Sequence, residues 1–268
     1  MFYNAKNGSV PIAGMEMDYV CFGRGTEPLV ILPGLSDGLH TVKGTAKRKA
    51  LANRAYAKKY RVYILSRRNI LPDGFTTRDM AGDVAFAMKQ LGIARANVLG
   101  ISQGGMIAQY LAIDHPELVK KLALAVTLCS PNDTVCATIP RRIVWAKKGD
   151  YRSIVLDTIQ TSSSPSRLRL CRLAFPLLGR TGKPKSFDRF LVHAEACITH
   201  DASAELFRIA CPTLVIGGDS DQNVGPGTSE ELAARIPGSK LHIYPGLGHA
   251  AFIEAKDFKK RALEFLAK

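Results

Sequence analysis

The chain has 268 residues, 46% of them hydrophobic, and a net charge of +14 from 37 basic and 23 acidic side chains. That length fits one large domain, or a core domain with a sizeable insertion, and the apolar fraction is enough to build a core. The longest apolar stretches, such as Leu122 to Leu128, fall far short of the roughly 18 residues a membrane span needs, which excludes a helical transmembrane protein.

The N-terminus, MFYNAKNGSV, has no basic start followed by an apolar run. No secretory signal is read there, and a cytoplasmic location is expected. The first clear element is Leu29 to Leu32 (LVIL), an apolar strand ending at Pro33-Gly34. Between Val42 and Arg68 the chain then carries ten basic residues and no acidic one. This run lacks the interleaved aromatics of a base-stacking surface, and no nucleic-acid module is recognised, so no nucleic-acid partner is expected. A solvated helix face is the plainer reading, with attraction of anionic substrates or surfaces as the other.

Val62 to Leu65 (VYIL) reads as the next strand. From Thr76 to Leu91 the apolar positions Met80, Val84, Ala87, Met88 and Leu91 recur at spacings of three and four, and Thr76 with Asp79 is a helix start signal. Asn97 to Ile101 is expected as a strand, Gly104 to Ile113 as a helix and Leu122 to Leu128 as a strand. Thr213 to Ile216 and Leu241 to Tyr244 are two more strands around a helix from about Ser229 to Ala234, and a closing helix is expected from about Ala251 to Leu266. This alternation predicts an α/β protein with a mostly parallel central sheet flanked by helices. It breaks between Pro131 and Arg208, a stretch with helical patches and no convincing strand. We therefore divide the chain into a core of residues 1–130 and 209–268 and a helical cap insertion of residues 131–208 lying over the sheet.

The six cysteines (Cys21, Cys129, Cys136, Cys171, Cys197 and Cys211) show no metal-ligand spacing and read as buried free thiols of a reducing compartment. Trp145, Phe175 and Phe187 in the insertion either line an apolar pocket or pack the insertion on the core, with packing the preferred reading.

Chemistry concentrates at LGISQGGM, residues 99–106, where Ser102 stands between glycines at the end of one predicted strand and the start of a helix. Ligand sites in open α/β sheets lie at those strand ends. A sharp turn there strains the serine backbone and lifts the hydroxyl clear of the sheet, while side chains at positions 100 and 104 would collide across it. A serine hydroxyl needs a base, and a base needs an orienting acid. Of the six histidines, His249 is best placed, in a loop just past the strand LHIY. His115 precedes a proline, His242 lies inside a strand, and His193 and His200 are in the insertion. His40, after the first glycine loop, is the other plausible base. The acid is expected straight after the strand TLVI, where GGDSD offers Asp219 and Asp221.

These motifs in this order resemble the α/β-hydrolase superfamily, from about Asp18 to the C-terminus. The resemblance implies Ser102 as nucleophile, His249 as base and, from the Gly-x-x-Asp match at Gly218 to Asp221, Asp221 as the acid. It also implies an oxyanion hole made by the backbone N–H groups of Leu35 and Gln103. Two loops depart from the family pattern. Pro33-Gly34 stands where many relatives have His-Gly, and Ser66-Arg67-Arg68-Asn69 replaces Asp-x-Arg-Gly-x-Gly. The implied activity is hydrolysis of a small or medium carboxylic ester, possible anionic character included, without metal or organic cofactor. Lactone hydrolysis, carbon–carbon bond hydrolysis, cofactor-free perhydrolysis and a triad-retaining small-molecule receptor remain open, as does the oligomeric state. An aminopeptidase fits poorly, because residues 131–208 hold thirteen basic and seven acidic side chains.

Overall fold

The computed structural model describes residues 3–267 and opens on a hairpin. Strands β1 (Lys6–Ile12) and β2 (Met15–Phe22) pair antiparallel, with Ile12 opposite Met15. Ala13 and Gly14 between them both take positive φ, 48° and 75°, the backbone of a two-residue turn whose twist suits a hairpin. The remaining strands are β3 (Pro28–Leu32), β4 (Arg61–Arg68), β5 (Ala96–Ile101), β6 (Val119–Ala125), β7 (Thr213–Gly218) and β8 (Lys240–Tyr244). They form one sheet in the order β1-β2-β4-β3-β5-β6-β7-β8, parallel from β4 to β8. Every residue of β7 is buried, as expected for a strand covered on both faces.

Helices α1 (Ala46–Ala52) and α2 (Arg54–Ala57) follow β3, α3 (Thr77–Gln90) follows β4, and α4 (Gln103–Asp114) follows β5. Four helices lie between β6 and β7: α5 (Asp133–Lys147), α6 (Tyr151–Ser162), α7 (Pro165–Arg172) and α8 (Asp188–Ile198). The chain closes with α9 (Thr228–Arg235), α10 (Ala251–Glu254) and α11 (Phe258–Ala267). One apolar cluster packs Met80, Met88, Ile107 and Leu232 of α3, α4 and α9 against one sheet face. A second packs Ala50, Tyr56 and Leu266 of α1, α2 and α11 against the other. Thr76 caps α3 by accepting from the Asp79 amide while Asp79 accepts from the Thr76 amide, the reciprocal pair that its start signal implied.

Several boundaries differ from the sequence reading. The strand expected to run to Leu128 ends at Ala125, because Val126 takes φ 46° and leaves the pleat. The closing helix is two helices, since Ala255 turns extended (ψ 116°) between α10 and α11. The cysteines are all free, but Cys136 is exposed and Cys171 and Cys211 are half-buried. The basic run is not uniformly a solvated face either. Lys47, Arg48 and Arg54 are exposed, whereas Arg67 is buried and Arg68 forms a two-point pair with Asp83 at 2.5 and 2.6 Å. Phe187 and Trp145 belong to a third apolar cluster that joins α5 and α8, and neither lines the cavity described below; nor does Phe175.

Candidate active site

Ser102 occupies the single residue between β5 and α4, with φ 54° and ψ −124°. Only a constrained turn holds a non-glycine residue there. The constraint comes from its neighbours: a Cβ on Gly104 would strike the carbonyls of Leu32 and Pro33, and one on Gly105 would meet Thr127. The Ser102 amide donates to the Ala125 carbonyl at 2.9 Å, which pins the turn to the next strand.

His249 lies in the loop between β8 and α10. Its Nε2 is 2.9 Å from Ser102 Oγ, and its Nδ1 is 2.8 Å from Asp221 Oδ2. Asp221 is buried, and its Oδ1 accepts from the amides of Asn223 and Val224 at 2.8 and 3.1 Å. Asp219, the other candidate acid, is exposed and accepts from the Gly246 amide and the Ser220 hydroxyl instead. His40 lines the same cavity but is tied to the Gly182 carbonyl at 2.6 Å and sits edge-on to Tyr151.

The Leu35 loop lies directly over the serine. A Cβ on Gly34 would come within 3.1 Å of Ser102 Cβ and 3.5 Å of its Oγ. Leu35 is the first residue of a short 3-10 turn and Gln103 the first of α4, positions whose amides have no partner within their own helix. Neither amide donates a hydrogen bond to another group among the described residues.

Beneath this loop sits a polar network that sequence reasoning did not assemble. Asp37, on the 3-10 turn, accepts from Ser66 Oγ at 2.7 Å and from the Arg67 amide at 3.1 Å. It also pairs with Arg189 of α8, at 2.5 Å, and with Arg67, at 3.7 Å. Arg189 donates further to the carbonyls of Asp37, Arg67 and Arg68. Arg67 in turn donates to the Pro33 carbonyl at 2.5 Å and to Gln103 Oε1 at 3.3 Å. Burial alone would push the Asp37 carboxyl up, but Arg189, Arg67 and the Ser66 hydroxyl together hold it below its usual range. Burial pulls Arg67 down to about 10. The departure at Ser66-Arg67 was the one visible signal of this network.

Loss of Arg189 leaves a buried carboxylate short of its closest cation. Arg189→Met is expected to lower Tm by about 5–10 °C at neutral pH. Because Asp37 is depressed in the folded state, its stabilisation is complete above the ordinary carboxylate range and disappears as pH falls through the folded value. The Tm gap between wild type and variant should therefore close as pH falls below the ordinary carboxylate range, measured by thermal melts across pH.

A second network ties the acid loop to the helices between β6 and β7. Arg142 of α5 bonds Asp157 at 2.7 Å, Thr161 at 2.9 Å and Asn223 at 2.6 Å, and Asn223 donates to Ser162 Oγ. Ser102 and His249 open into a cavity of about 940 Å³, walled mostly by apolar side chains such as Ile139, Ile154 and Phe190. Among the described residues, no three His, Cys, Asp or Glu side chains cluster as metal ligands, and no helix is long and apolar enough to cross a membrane.

A family model described as the alpha/beta hydrolase fold matches residues 27–194. A Klebsiella pneumoniae subsp. pneumoniae protein assigned as a carbamate hydrolase, RutD, is 32% identical over 194 residues, 70% of this chain and 71% of its own length. The pimeloyl-[acyl-carrier protein] methyl ester esterase of Neisseria meningitidis serogroup B is 30% identical over 168 residues, 60% of this chain and 64% of its own. Among solved structures, the enol-lactonase from Burkholderia xenovorans LB400 superposes with a TM-score of 0.82 at 22% identity, covering 97% of this chain and all of that one. At that identity the likeness speaks to fold alone. With the sheet order, the strained serine turn and the family match agreeing, the chain belongs to the α/β-hydrolase fold family.

Proposed function

We propose that the protein is a serine hydrolase that cleaves a carboxylic ester through an acyl-enzyme, with Ser102 as nucleophile, His249 as general base and Asp221 as the orienting acid. The observation that carries this reading is the unbroken chain Ser102 Oγ–His249–Asp221 at 2.9 and 2.8 Å, opening into a largely apolar cavity. As Ser102 Oγ bonds the ester carbon, its proton passes to His249 Nε2. The amides of Leu35 and Gln103 stabilise the oxyanion. His249 then gives the proton to the departing alcohol as the carbon–oxygen bond breaks. Water attacks the acyl-enzyme, His249 takes its proton and returns it to Ser102, and the carboxylic acid leaves. Asp221 holds the imidazole in the tautomer with its proton on Nδ1. The step as written needs no cofactor. Residues 131–208 act as a cap that shapes the cavity and sets the substrate.

The relative named as a methyl ester esterase supports an ester over a lactone or a carbon–carbon bond. Turnover of neutral 4-nitrophenyl esters tests the reading: a nitrophenolate burst is expected, with mass spectrometry placing the acyl group on Ser102. Rates at background across chain lengths, with one small molecule raising Tm, would overturn it in favour of a receptor.

A further inference from the structure

Arg67, on β4, is 2% exposed, and its charge pair does not account for its burial. Asp37 is already held by Arg189 at 2.5 Å, by Ser66 Oγ and by the main-chain amide of Arg67. The guanidinium approaches Asp37 through Nη1 at 3.7 Å, beyond hydrogen-bond distance. Among the described residues, Arg67 Nη1 and Nε have no hydrogen-bond partner. A buried charge served so poorly costs stability, and an apolar side chain of similar length would not.

What Arg67 does make is a pair of bonds from one nitrogen. Its Nη2 donates to the Pro33 carbonyl at 2.5 Å and to Gln103 Oε1 at 3.3 Å. The Pro33 carbonyl belongs to the peptide next to the one that carries the Leu35 amide. It also abuts the start of α4, since a Cβ on Gly104 would come within 2.6 Å of its oxygen. The Gln103 side chain is further fixed by α8: its Nε2 donates to the His193 carbonyl at 2.5 Å, and its Oε1 lies 2.8 Å from His193 Nδ1. One nitrogen thus ties the loop after β3 to the turn after β5. An amide N–H acts on an oxyanion over a narrow range of distance, and it cannot be re-aimed without moving its peptide.

We infer that Arg67 is a positioning residue of the reaction, holding the Leu35 and Gln103 amides on a common point by bridging the Pro33 carbonyl and the Gln103 side chain. The inference rests on the oxyanion role proposed above for those two amides. Arg67 does not line the cavity and acts through its two partners.

The test compares Arg67→Met with Arg189→Met on a neutral 4-nitrophenyl ester. Arg67→Met leaves Asp37 its closest cation, so its Tm should fall less than that of Arg189→Met. Catalysis should rank the other way. Arg67→Met is expected to lower kcat and kcat/KM together by about 10- to 100-fold with KM within about twofold, because misplaced donors tell only in the transition state. Inhibition by phenylboronic acid, which forms a tetrahedral adduct on a nucleophilic serine, should weaken by a similar factor. Should Arg67→Met fail to fold, Arg67→Lys keeps a charge near Asp37 while its ammonium ends one bond short of Nη2. A loss of at least about fivefold confined to kcat is then expected. A folded variant with kcat within about twofold of wild type overturns the inference and leaves the hydrolase reading intact. A kcat loss in Arg189→Met equal to that in Arg67→Met does the same. Wild type that turns over no ester removes the hydrolase reading and this inference with it.

Discussion

Ser102→Ala is expected to lower kcat by roughly four to six orders of magnitude with the fold intact. The physical ground is that no other group stands in its place. Ser102 Oγ is the hydroxyl at His249 Nε2, and its position depends on a backbone turn that alanine adopts no worse than serine. Far-UV circular dichroism and Tm should therefore match wild type. A fluorophosphonate should label the wild type and fail to label the variant. Labelling that persists in Ser102→Ala would remove the serine from its role.

Asp221→Asn is expected to cost on the order of 10⁴ in kcat, because an amide favours the wrong imidazole tautomer. The fold supplies a sharp control. Asp221 is buried with Oδ1 occupied by two amides, so an asparagine oxygen can keep those bonds while the amide nitrogen turns to His249 Nδ1. Asp219, two residues away, is exposed and holds only Gly246 and Ser220, so Asp219→Asn should cost less than about tenfold. Steady-state kinetics on the two variants decide the matter, and the reverse ranking would place the acid at Asp219.

The antiparallel hairpin was missed for an identifiable reason. Its turn carries Ala13 where Asn or Asp usually marks a left-handed position, and β1 is an edge strand with only Val10 and Ile12 buried. The over-extension of β6 has a similar origin. The run Leu122 to Leu128 is apolar but for Thr127, and hydropathy alone does not reveal that the backbone turns away at Val126. The break in the closing helix is likewise decided by how Ala255 leaves α10, which the amphipathic pattern does not register.

By itself the sequence determined the parallel core and the placement of Ser102, Asp221 and His249 at strand ends. Those features are local: apolar strand runs, glycines where a Cβ would collide, and short loops whose order along the chain sets which edge they share. The tertiary structure alone decided what surrounds them. Arg189 lies 152 positions from Asp37, and Arg142 lies 81 from Asn223, so no local pattern links either pair. Likewise, the ten charges between Val42 and Arg68 look alike in the sequence. Folding sends Arg67 beneath the Leu35 loop, pairs Arg68 with Asp83, turns Lys49 to the cavity and leaves Arg54 exposed. Charge is written residue by residue, but burial and partnership are properties of the packed chain.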